Sequence, residues 1–142
     1  MITSTSTSTA HIERLWSLVS DVGRWPEMLP TFTSVRALGP GVPGGPLELG
    51  SRFEVRQPAL AKAVWTVTDC QPERRFTWVA CSLGVATAAT HEITTDGGGC
   101  RLELTLDWSG PLAPLVRRVY GARAARMLEV EANTFAHRAQ SA

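Results

Sequence analysis

Residues 112–140, LAPLVRRVYGARAARMLEVEANTFAHRAQ, decide how the rest of the chain is read. Leu112, Val116, Val119, Met127 and Val130 recur at the spacing of one helical face, and Arg123 falls inside the same stripe. Pro111 or Pro114 suits the start, since proline fits the first turn of a helix. The spacing predicts one long helix over Leu112 to Gln140, and that helix closes the chain.

Upstream of it lie six runs with strand character: Phe32 to Leu38, Ser51 to Gln57, Ala63 to Cys70, Arg75 to Ser82, Val85 to Thr95 and Cys100 to Trp108. The intervals between them are short or rich in Gly and Pro, which is the spacing of a meander of hairpins. Within the runs the side chains alternate. Leu102, Leu104, Leu106 and Trp108 oppose Arg101, Glu103, Thr105 and Asp107, while Phe53, Val55 and Gln57 oppose Arg52, Glu54 and Arg56. The sheet therefore has a wet side and an apolar side.

The N-terminal part differs. Thr3 to Thr9 alternates Ser and Thr and reads as a further strand. From Ala10 the period changes: Ile12, Leu15, Trp16 and Val19 share a helical face, with Thr9 a plausible N-cap and Gly23 a plausible stop. Trp25-Pro26 opens a second short helix that Pro30 ends. The expected fold class is α+β: a curved antiparallel sheet of about seven strands around a long C-terminal helix, with two short helices after the first strand. Its 142 residues make one domain, 1–142.

A curved sheet wrapped on one helix leaves a hollow between them, and the inward phase predicts its lining. From the short helix and the strands this is Trp25, Phe53, Val55, Trp65, Val67, Trp78, Ala80, His91, Leu104 and Leu106; from the helix it is Val116, Arg123 and Met127. The lining is mostly apolar. It suits a greasy ligand better than a reaction.

Two polar residues are candidates for catalysis. His91 shares a phase with Ala89 and Ile93, so it faces inward, where an imidazole can shuttle a proton or simply satisfy a neighbouring backbone carbonyl. Asp69 follows Trp65 and Val67 on one face and can serve as a base at the rim, or else meet water at a strand end. Arg123 can pair with a ligand carboxylate or extend its stem to solvent.

Composition narrows the classes further. Hydrophobic residues make up 44% and charged ones 19%, as in a folded globular protein. Fourteen basic residues against 13 acidic give a formal charge of +1, which sets up no field for nucleic acid. Thirteen of the cations are arginine, Lys62 being the one lysine. Cys70, Cys81 and Cys100 are odd in number and lack metal-ligand spacing, so reduced thiols in the cytoplasm are expected, with no metal and no cofactor. No apolar run approaches the ~20 residues of a membrane span, and Met1 to Ala10 has no signal-like segment. Gly97-Gly98-Gly99 has no helix behind it to cradle a phosphate, no Gly-x-Ser-x-Gly elbow exists, and the histidines at 11, 91 and 137 are scattered.

Several short pieces in order complete the reading. They are Leu15-Trp16, Asp21-Val22, Trp25-Pro26, Gly50-Ser51-Arg52-Phe53, Val64-Trp65-Thr66-Val67, Arg75-Phe76-Thr77-Trp78, His91-Glu92-Ile93, Gly110-Pro111-Leu112 and Glu129-Val130-Glu131-Ala132. Together they resemble the START-related helix-grip (SRPBCC) superfamily, in its polyketide cyclase/dehydrase and lipid-transport branch, over nearly the whole chain. The resemblance implies a cavity for a lipid, sterol, hormone or polyketide, and it implies that the short second helix, which Trp25 opens, flanks the entrance. It also implies that a minority of members are aromatase/cyclases. At inward positions where those carry arginine and glutamine, this chain has Gln71, Ala80 and Leu106, which weakens a cyclase reading.

Three functions are thus in play. The first is binding of a hydrophobic, lipid-like or aromatic molecule. The second is a cyclase or dehydratase using His91 and Asp69. The third is a protein-interaction module of co-chaperone or toxin type, working through the outer sheet face or the loop Val42 to Leu49. A monomer and a homodimer are both compatible with the sequence.

Overall fold

A computed structural model describes residues 1–39, 45–82 and 84–141 of the chain. The first part of the Val42 to Leu49 loop, and Leu83 of the expected Leu83-Gly84 turn, lie outside the described residues.

Seven strands form one antiparallel sheet: β1 (Ile2–Ser8), β2 (Ser34–Gly39), β3 (Arg52–Arg56), β4 (Ala63–Gln71), β5 (Arg75–Ser82), β6 (Val85–Asp96) and β7 (Gly99–Ser109). Between β1 and β2 lie helix α1 (Ile12–Val19), a 3₁₀ turn at Val22–Arg24 and helix α2 (Trp25–Met28); helix α3 (Ala113–Gln140) follows β7. The sheet order is β1-β7-β6-β5-β4-β3-β2. β2 to β7 run as a meander, and the first strand closes beside the last.

The Ser/Thr tract is the strand expected of it and lies at the sheet edge, paired from Ile2 opposite Leu106 to Ser8 opposite Cys100. α1 stops at Val19, four residues short of Gly23; Ser20 is its C-cap, with N–H (2.8 Å) and hydroxyl (2.7 Å) both donating to the Trp16 carbonyl, and a 3₁₀ turn follows. Its N-cap is His11, not Thr9. Phe32 lies outside β2 and is buried edge-on against Trp25, 5.0 Å between ring centroids.

The expected apolar stripe of α3 needs correction. Leu112, Val119 and Val130 are exposed, and the buried face runs through Ala113, Leu128, Glu131, Ala132, Phe135, Ala136 and Ala139. Counting only the larger apolar residues misplaces the face. Four of the seven buried positions are alanines, whose small side chains let the helix approach the sheet closely. At that end the Ser8 hydroxyl donates to the Ala136 carbonyl (2.9 Å), and the Gln140 amide oxygen accepts from the Thr9 N–H (3.0 Å). Leu15, Val19, Ile93, Cys100, Leu102 and Phe135 fill the core there.

At the opposite end the β5–β6 turn meets the β7–α3 connection. The Leu112 N–H donates to the Gly84 carbonyl (2.8 Å). Gly110 sits at φ +103°, and a Cβ there would lie 2.8 Å from the Gly84 oxygen. Gly121, inside α3, has nothing within 4 Å of the same position. Gly110→Ala is expected to destabilise the fold by roughly 1–3 kcal/mol, the cost of a strained left-handed residue. Gly121→Ala is expected to stabilise it by about 0.5–1 kcal/mol through helix propensity. Urea unfolding of both variants beside the parent measures the two differences.

Candidate functional site

Between the inner sheet face and the middle of α3 lies a cavity of about 500 Å³. Alternation along the strands builds its walls. Trp65 of β4, Trp78 and Ala80 of β5, Ala89 and His91 of β6, and Leu104 and Leu106 of β7 all point inward, and α3 covers them with Ala124, Met127 and Leu128. Exposed Lys62, Ser82, Tyr120 and Arg123 surround the mouth. Of the thirteen residues expected to line a hollow, Trp25, Trp65, Trp78, Ala80, His91, Leu104, Leu106, Arg123 and Met127 do so.

The other four do not line it. Val55 and Val67 belong to the solid core, Phe53 meets Trp78 edge to face, and Val116 is half-buried.

Trp25 sits deep and is not at the entrance. It is fully buried, with Phe32, Phe76, Trp78, His91 and Phe135 around it at centroid distances of 5.0–6.2 Å. The first turn of α2 aims the indole inward, and its N–H donates to the Val19 carbonyl (3.2 Å). The tryptophan is therefore the floor of the cavity, welding α2 to sheet and α3.

Asp69 is not part of the site. The β4–β5 register slips between Val67 and Asp69, so Thr68 is an extra residue and Asp69 pairs with Thr77 on the outer face. There its carboxylate accepts from Arg75 Nε (2.7 Å), and Arg75 also lies 3.6 Å from Glu92. The bulge turns Gln71 outward as well, opposite Arg75. Asp69 and His91 lie on opposite sides of the sheet and cannot act together.

His91 faces the cavity, stacked flat on Phe76 at 4.2 Å and 8°. Its Nδ1 is buried with no hydrogen-bond partner. Burial lowers its pKa to about 3, and the nearby Phe76 backbone opposes this less strongly. The imidazole is neutral at pH 7.

Glu131 is the polar residue that pattern reading passed over as a site. It is buried on the α3 face that covers the cavity, one of its lining groups. Burial pushes its carboxyl up to about 8, while the Thr31 hydroxyl favours the charged form. That hydroxyl nevertheless falls short of hydrogen-bond geometry, and Thr31 Oγ1 is itself buried without a partner. Glu131 is thus mostly protonated at neutral pH, a donor as well as an acceptor. The signal was present in the sequence: Glu131 lies three residues after Leu128 and four before Phe135, a carboxylate inside an apolar stripe. Among the described residues no three His, Cys, Asp or Glu side chains gather as a metal site would require.

Comparison with known proteins agrees with this architecture. No curated protein matches the sequence closely enough to count as a relative. Among solved structures, the ZhuI aromatase/cyclase of Streptomyces sp. R1128 superposes with a TM-score of 0.78 at 18% identity, over 98% of this chain and 92% of that one. A Thermus thermophilus protein, TTHA0849, gives 0.74 at 17%, over 99% and 97%. A norcoclaurine synthase point mutant of Thalictrum, solved with a transition-state analogue, gives 0.71 at 16%, over 99% and 93%. At these identities the likeness shows the helix-grip fold alone. The family model for polyketide cyclase/dehydrase and lipid transport matches residues 1–139, and the chain belongs to that family.

Proposed function

We propose that this protein binds a hydrophobic small molecule, lipid-like or aromatic, in the cavity between sheet and α3, with a ligand oxygen held at the deep end by Glu131 and His91. The observation that carries the reading is a mostly apolar cavity of about 500 Å³ whose two buried polar lining groups, His91 and Glu131, are both uncharged at neutral pH. Such a volume lies within the ~300–1,000 Å³ of small-molecule sites, and each buried ligand methylene contributes about 0.8 kcal/mol. A protonated carboxyl and an orphaned imidazole then fix orientation at little desolvation cost, because neither carries charge to begin with. The interaction module predicts a filled, dry core, and the cavity counts against it.

One observation favours the cyclase or dehydratase as a second reading. A neutral imidazole and a protonated carboxyl opening on one cavity are the two partners that aldol closure and loss of water require, with Glu131 in place of Asp69 as the second group. Against it, a histidine held neutral down to about pH 3 is a weak base. If turnover of a poly-β-ketone substrate is found, Glu131→Gln and His91→Gln each abolish it under this reading, and unchanged rates remove it.

The protonation states have a consequence for stability. The folded chain keeps the Glu131 proton up to about pH 8, whereas the unfolded chain releases it near 4.5. The unfolded state then binds fewer protons, so stability falls as pH rises through that window. His91 works in the other direction. It stays neutral in the folded chain down to about pH 3 but takes a proton near 6.5 when unfolded, so stability falls as pH drops from 6.5 towards 3. Each slope approaches ~1.4 kcal/mol per pH unit, and the two cancel between the ordinary glutamate and histidine values.

Melting temperature is therefore expected to be highest between about pH 4.5 and 6.5. Glu131→Gln removes the alkaline decline; if parent and variant lose stability equally between pH 6.5 and 8, the buried-acid assignment is wrong. For binding, a long-chain fatty acid or polycyclic aromatic at one hundred times its dissociation constant is expected to stabilise the fold by about 2.7 kcal/mol. Met127→Trp, which fills the cavity from α3, should weaken that binding more than roughly tenfold, equivalent to losing about two buried methylenes. Equal affinity in the variant would argue that the ligand sits elsewhere.

A further inference from the structure

The start of α3 carries an exposed apolar stripe that begins at its N-cap, Leu112, whose side chain also lies against Gly84. Leu112, Leu115 and Val119 are 45%, 57% and 61% exposed, and at 3.6 residues per turn they line up with Arg123 and Arg126. Tyr120, the one tyrosine, borders this line and is 42% exposed. From Ser109 to Leu128 there are four arginines and no acidic residue, in a chain of overall charge +1. Arg117 donates to the Trp108 carbonyl (3.4 Å). Arg118, Arg123 and Arg126 form no ion pair among the described residues. Tyr120 and Arg123 also line the cavity mouth, so the face and the mouth are continuous.

Charge decides what can cover this face. A second copy related by a twofold axis would bring the arginines against their own counterparts, with no carboxylate on the segment to answer them. An acidic protein would match the charge. It would not need aliphatic side chains standing out between the arginines, nor a cavity mouth opening onto the same face. An interfacial helix needs both features: its apolar side chains enter the acyl boundary, its arginines extend to the phosphates, and a tyrosine sits at the rim.

We propose that the N-terminal half of α3 docks on an anionic bilayer surface, with Leu112, Leu115 and Val119 inserted and Arg118, Arg123 and Arg126 at the headgroups. No helix of the described residues is long and apolar enough to cross a membrane, so the contact is peripheral. Docked this way, the mouth faces the membrane and an apolar ligand passes into the cavity without crossing water. Only that last step rests on the ligand-binding reading.

Flotation with phosphatidylcholine vesicles, with and without phosphatidylglycerol, tests the docking. The protein is expected to float with the anionic vesicles and to be released by salt. Arg118→Gln and Arg126→Gln should each weaken binding about fivefold. Leu115→Ser with Val119→Ser should abolish it, while uptake of a fatty-acid probe in solution stays at the parent level and shows that the fold is intact. Failure of the parent to float with anionic vesicles overturns the proposal, including the case in which an acidic protein is the partner. Undiminished flotation of the Leu115/Val119 variant also overturns it. Flotation without any probe uptake in solution supports docking and removes the ligand reading alone.

Discussion

The close approach of the last three turns of α3 to the sheet is the contact on which the rest of the structure depends. Alanine at 132, 136 and 139 makes it possible, and Phe135, fully buried, drives into the core between them. That end is anchored at Ser8 and Thr9, and α3 enters the hydrophobic core from Leu128 to Ala139. The middle of the helix, bearing Tyr120, Ala124, Met127 and Glu131, also faces the cavity. One helix therefore does two jobs, lining the cavity from Tyr120 to Glu131 and packing into the core through Leu128, Ala132, Phe135 and Ala139.

The floor of the cavity is where fold and site merge. Trp25 packs against five aromatic or imidazole rings drawn from α3, the sheet and the segment after α2, so the same burial that stabilises the core also closes the cavity. Two ionisable groups share that burial at opposite cost. His91 is held without its proton and Glu131 with it. A fold selected for stability alone would place apolar side chains at both positions. Retaining them makes physical sense where a polar atom of a guest completes their hydrogen bonding.

The outer surface repeats the logic. Alternation places Arg75 and Glu92 on the wet face, the bulge at Thr68 brings Asp69 to join them as an ion-pair cluster, and such exposed pairs contribute little to stability. By contrast, Leu112, Leu115 and Val119 leave the apolar side of α3 uncovered next to the mouth. The family to which the chain belongs is described jointly by polyketide cyclases, dehydrases and lipid transport.

Periodicity in the sequence determined the elements, because a period of two or of 3.6 follows from backbone geometry alone. It therefore set the number and order of strands, the long closing helix, and the inward phase of Trp65, Trp78, Ala80, His91, Leu104 and Leu106. What it could not determine was anything that changes phase within an element or depends on how close two elements come. One inserted residue at Thr68 carried Asp69 and Gln71 to the other side of the sheet. Close packing at the alanines rotated the buried face of α3, exposing Leu112, Val119 and Val130 and burying Glu131. Trp25 became a floor and not a gate because rings distant in sequence converge on it. In each case the deciding quantity was a distance between segments, which only the tertiary structure contains.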